Sequence, residues 1–162
     1  MIVREEFILN CPHSEAWNFL SDFPSPIKVM PGVVEVKETK PHHYSGAVKV
    51  HIGPCTFIFR GNINVTLINP KTCEVNIAGG AIDNVLGGHF TAQAYTHTLP
   101  LGRDRTRVTI EVHVGLGGLL GKLGWFMLRP KARQVVEVYA QAVQREIGRR
   151  RAQKLPVLQA AI

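Results

Sequence analysis

At 162 residues, 45% of them hydrophobic and 19% charged, the chain has the length of one domain and enough apolar material for a core without covalent staples. Its three cysteines, Cys11, Cys55 and Cys73, are odd in number, widely spaced and in no CxxC pairing, which excludes a disulfide framework and a cysteine zinc site and points to a reducing cytoplasm. The net charge of +7 is not spread evenly: residues 1–120 balance ten Lys/Arg against ten Asp/Glu, whereas residues 121–162 hold nine Lys/Arg against Glu137 and Glu146.

The first element is a strand from Ile2 to Asn10, where Val3, Phe7 and Leu9 share one parity and Arg4 and Glu6 the other. Pro12 suits the first turn of a helix, which has no use for the missing N–H, and Ala16, Trp17, Phe19 and Leu20 give that helix an apolar face. Pro24, Pro26 and Pro31 confine a second helix, around Ile27 to Met30, to about one turn. Strands follow in sequence, with Val34 and Val36 on one face, then Val48, Val50 and Ile52, then Phe57, Phe59, Ile63, Val65 and Leu67, then Val75 and Ile77. Gly88 to Pro100 and Thr106 to Val114 complete about seven strands, the last with Val108, Ile110, Val112 and Val114 inward and Arg107, Thr109, Glu111 and His113 outward. Gly115 to Gly124, GLGGLLGKLG, reads as an apolar connector or a mobile gate. After it, Leu128, Ala132, Val135, Val136, Tyr139, Val143 and Ile147 recur at helical spacing over about five turns or more, with Pro130 near the start and Gly148 weakening the end.

A sheet with one apolar face and a helix with an apolar stripe must pack together, so the pattern predicts an α+β fold with a mostly antiparallel sheet in hairpin order. One domain over residues 1–150 and a basic, then apolar, tail over 151–162 describe the organisation. The N-terminus MIVREEFILN carries no signal-peptide pattern, and no segment reaches the roughly 20 apolar residues of a spanning helix.

Chemistry-bearing motifs are scarce. No HExxH, GxSxG, Walker or GxGxxG arrangement stands in its required context, and Asp22, Asp83 and Asp104 fall in turns, so no catalytic residues are assigned. Seven histidines fail as a metal set: His51 and His113 point outward, and His89 and His97 lie about 27 Å apart along one strand. No metal or resident cofactor is expected. The inward set is Met30, Val50, Phe57, Phe59, Ile77, Phe90, Leu128, Val135 and Tyr139, and small Ala92 and Ala94 leave room beside it. That set serves either a solid core or an apolar cavity, with Tyr139, Asn84, Gln93 and Arg60 as candidate polar anchors. Arg145, Arg149, Arg150, Arg151 and Lys154 form a basic surface that suits a solvated helix end or a weak contact with an anionic membrane, at about 1 kcal/mol per residue. Nucleic acid is a poor partner for it, because no aromatic residues interleave with the arginines.

Several of these features occur together in one family. Pro31-Gly32 ahead of a strand, Ile52-Gly53-Pro54 between two strands, Phe59-Arg60-Gly61 inside the next, the Pro12 helix through Asp22 and the Gly-rich approach to the last helix run over nearly the whole chain. In that order they resemble the carbon monoxide dehydrogenase G-subunit family, a branch of the START-like (SRPBCC) superfamily. The resemblance implies a helix-grip fold, with a curved antiparallel sheet of about seven strands wrapped around a long C-terminal helix and one or two short helices between the first two strands. It also implies a non-enzymatic accessory protein that binds a quinone or other apolar lipid and recruits a molybdenum-hydroxylase-type enzyme to the inner face of the membrane. Two rival readings remain open. One is a polyketide cyclase or dehydrase-like enzyme acting on a hydrophobic substrate in the same cavity; the other is a solid-core protein-interaction domain.

Overall fold

The computed structural model describes residues 1–160, with side chains through Leu155. The elements in chain order are β1 (Ile2–Leu9), α1 (His13–Leu20), α2 (Ser25–Lys28), β2 (Val33–Lys40), β3 (His43–Ile52) and β4 (Cys55–Asn69). After them come β5 (Glu74–Asp83), β6 (Gly88–Pro100), β7 (Thr106–Gly117), α3 (Gly118–Lys122) and α4 (Trp125–Ala160). The seven strands form one antiparallel sheet in the order β1-β7-β6-β5-β4-β3-β2. Each strand from β2 to β6 pairs with the next through a hairpin, whereas β1 and β2 occupy opposite edges, so α1 and α2 carry the chain across one end of the sheet. The tight turns are chemically apt. Gly53 at φ +56° closes the two-residue β3–β4 hairpin between Ile52 and Cys55.

Two bulges alter the expected faces. Pairing slips between Val33 and Glu35, which leaves Val34 68% exposed rather than beside Val36, and again between Val65 and Leu67, which turns Leu67 outward. One extra residue reverses the parity of all that follow it, so strict alternation misplaces both side chains.

The glycine-rich segment is ordered structure, not a connector. Its first three residues extend β7, and α3 follows at once. Gly118 has φ +61°, and a Cβ there would run into the Gly87 carbonyl; the Leu119 N–H donates to that same oxygen at 3.1 Å. The final helix is also longer at both ends than periodicity suggests. Pro130 sits in its second turn, and Gly148 lies inside it, where glycine costs about 1 kcal/mol relative to alanine. Glu146 bridges that position by accepting from Arg149 at 2.6 Å and Arg150 at 3.3 Å. α4 thus runs on past residue 150.

Two packed clusters hold helix and sheet together. One gathers Leu9, Phe19, Leu20, Val108, Tyr139, Val143 and Ile147 around α1 and the C-terminal half of α4. The other gathers Ile52, Phe57, Phe59, Leu120 and Leu128 where α3 and the start of α4 meet β3 and β4.

Candidate ligand-binding site

Between these clusters the helix-facing side of the sheet is apolar and only half-buried. Register aligns Val65, Ile77, Ala94, Val112 and Val3 into one rung across five strands, and Ile63, Gly79, Ala92 and Val114 into a second beside it. All nine residues are half-buried, and none belongs to either packed cluster. In a filled core, residues under a helix would be buried. Gly79, Ala92 and Ala94 fall in the middle of the two rungs, so the floor is deepest where the side chains are smallest. Ala132, Val135 and Val136 of α4, also half-buried, form the roof. From Leu128 to Tyr139 the helix spans eleven steps, which sets a trough about 16 Å long.

Aromatic groups close both ends. Phe57 stacks on Phe59 with ring centres 5.3 Å apart, and Phe90 meets Phe59 edge-on at 5.0 Å. At the other end Tyr139 meets Phe7 edge-on at 6.4 Å. Burial pushes the Tyr139 phenol well above its ordinary pKa, so it stays neutral, and its oxygen makes no hydrogen bond among the described residues. Glu5 shares the inward parity of β1 but is paired with Arg133 of α4 at 3.3 Å.

The expected lining residues divide by place. Val50, Phe57, Phe59, Phe90 and Leu128 belong to the aromatic end, Met30 and Tyr139 to the opposite end, and Ile77 and Val135 to the span between. Of the four candidate anchors only Tyr139 lies on the helix side. Arg60 faces away and pairs with Glu35 at 3.4 Å, Gln93 accepts from Tyr95 Oη on that same outer face, and Asn84 is exposed in the β5–β6 turn. Asp83 is structural: its carboxylate accepts from the Ile58, Val85 and Leu86 N–H groups at 2.6–2.9 Å, and these bonds hold it below the usual carboxylate range.

The outer face of the sheet carries two shallow grooves. One, of about 410 Å³, lies around Met1, Ala78, Gln93 and His113, and another, of about 620 Å³, lies around Arg4, Tyr95, His97 and Glu111. Their polar groups satisfy one another, since Arg4 and His113 both bond Glu111 and hold its carboxyl below the ordinary range. No three His, Cys, Asp or Glu side chains converge on one point among the described residues.

The basic surface is largely neutralised. Arg149 and Arg150 pair with Glu146, Arg150 also reaches Asp22 at 3.2 Å and lies 4.9 Å over the Phe19 ring, and Arg151 pairs with Glu15 at 2.7 Å. Arg145 and Lys154 are exposed. The apolar end of the tail lies largely outside the described side chains.

Comparison with known proteins agrees with this architecture. The family model of the carbon monoxide dehydrogenase G-subunit (CoxG) matches residues 6–148. The chain belongs to the CoxG family. Among solved structures, a conserved protein from Geobacillus kaustophilus superposes with a TM-score of 0.82 at 19% identity, covering 92% of this chain and 96% of that one. The Zhui aromatase/cyclase from Streptomyces gives a TM-score of 0.62 at 15% identity, covering 93% and 94%. Norcoclaurine synthase from Thalictrum flavum gives 0.59 at 12% identity, covering 91% and 86%. At these identities the likenesses establish the START-type helix-grip fold. No curated protein gives a significant match. Among the described residues no helix of this CoxG-family chain is long and apolar enough to cross a membrane.

Proposed function

We propose that this CoxG-family protein binds an elongated apolar molecule, of the quinone or isoprenoid-lipid kind, in the trough between sheet and helix. The observation that carries the reading is the pair of half-buried apolar rungs that lie under α4 between two packed clusters. None of the nine rung positions bears an ionisable group, so the site offers apolar contact along its length. At one end it offers a neutral phenol, suited to donate a hydrogen bond to a ligand carbonyl.

A binding role is supported by the groups on the helix side, where the inward carboxylate of Glu5 is already held by Arg133 at 3.3 Å. A cyclase-type reaction needs an acid or base within reach of the substrate. His89 is exposed on the outer face, where its ring stands against Gly117, and Arg60 points the same way. The family name ties such proteins to carbon monoxide dehydrogenase, which supports an enzyme partner of that kind; its recruitment to a membrane is part of the proposal.

The test is native mass spectrometry with solvent extraction of protein purified from its own organism. One apolar lipid per chain is the expected result. Protein that carries no lipid and takes up no short-tailed quinone in titration overturns the reading.

A further inference from the structure

The end of the molecule that carries the β3–β4 and β5–β6 turns and the start of α4 is apolar, exposed and free of accessible acid. Phe126 is 93% exposed and Val85 90%, with Trp125 at 39% and Met127 at 43%. The elements that bear them meet at one place. The Met127 methyl lies 3.4 Å from where a Cβ on Gly53 would stand, the Leu119 N–H bonds Gly87, and Leu86, Leu119 and Leu123 pack on one cluster. Residues 49–60, 84–92 and 115–136, which build this end, contain no Asp or Glu, and Asp83 beside them spends both oxygens on backbone N–H groups. Lys122, Arg129 and Lys131 flank the apolar tip.

We infer that this tip, and not the basic C-terminal cluster, is the surface that docks on a bilayer of anionic phospholipid. Exposed Phe and Val side chains gain by leaving water, Trp favours the headgroup level, and cations at the rim gain from the negative surface. Charge complementarity selects the occupant: the tip is acid-free, whereas Arg149, Arg150 and Arg151 are already paired with carboxylates of the protein itself. The inference deepens the membrane part of the proposed function and rests on it, but it is independent of which ligand fills the trough.

Flotation with vesicles of phosphatidylcholine containing about one third phosphatidylglycerol tests it, because anionic lipid supplies the surface potential the rim should sense. The double variant Phe126→Ser, Val85→Ser should weaken vesicle binding about ten-fold or more, the range expected for removing two buried apolar side chains. Lys122→Glu with Arg129→Glu should weaken binding and flatten its salt dependence, whereas Arg149→Glu with Arg151→Glu should change it less than about two-fold. Brominated acyl chains should quench the Trp125 emission, an effect lost in Trp125→Phe. Binding that survives the tip variants, or falls only with the arginine variants, overturns the inference. So does a tip that holds a second copy of the chain, seen as a dimer that the Ser variants dissolve. Ala94→Phe separates the two proposals: it should abolish uptake of a short-tailed quinone while vesicle binding persists.

Discussion

The two halves of α4 have opposite relations to the same sheet. Towards its C-terminus, Tyr139, Val143 and Ile147 are at most 9% exposed and lock against Leu9, Phe19 and Val108, and arginines from the following turns clasp α1 and α2. Towards its N-terminus only Leu128 is buried, Ala132, Val135 and Val136 roof the trough, and Trp125 to Met127 stand in solvent. One continuous helix therefore serves as a structural anchor at one end and as the roof of the proposed trough at the other. The difference leaves the half-buried span around Ala132, Val135 and Val136 with less stabilising burial than either packed end, so side chains there can be changed at smaller cost to folding.

Breaking the anchored half should have the largest effect. Phe19→Ala removes a ring that is 1% exposed and carries Arg150 on its face, so it should cost about 3–5 kcal/mol, read as a lower urea midpoint with an unchanged slope. Ala94→Phe sharpens the contrast from the other side. Added volume in a filled core costs about 1–3 kcal/mol, whereas in the trough the midpoint should hardly move while quinone uptake is lost.

Asp83 supplies a pH test of the loop end. Its carboxyl is held below the ordinary range by three backbone N–H groups, so its contribution is present above the unfolded value of about 3.9 and is lost as pH falls through the lower folded value. Wild type should therefore exceed Asp83→Asn in stability at neutral pH, with the gap closing in acid; urea melts across that range measure it. The smallest effect belongs to Arg151→Gln. Its pair with Glu15 is partly exposed, so about 0.2–1 kcal/mol should be lost, and less at high salt.

Much of this was legible in the alternation of the strands. The inward run Val108, Ile110, Val112, Val114 stands as read, because a regular antiparallel strand with one covered face has period two. Val34 and Leu67 were not legible, since a bulge adds one residue without any mark in composition. Arg60 and Gln93 could have been placed. Each has the parity opposite to its inward neighbours, Phe59 for one and Ala92 and Ala94 for the other, so neither can reach the trough. The tip was hidden for a different reason. Apolar residues in GLGGLLGKLGWFM suggest burial by default, and only the three-dimensional arrangement shows that Leu120 is buried while Phe126 is not.

The glycines beneath the tip constrain it in an unequal way. A Cβ on Gly118 would collide with the Gly87 carbonyl at a φ of +61°, so that backbone position tolerates almost no sequence change, whereas the exposed His89 ring beside Gly117 can move aside. The side chains the tip displays touch little, and Phe126 or Val85 can be exchanged with small cost to folding. A rigid pedestal with interchangeable contacts is a form in which surface affinity can be retuned one residue at a time while the proposed trough behind it keeps its shape.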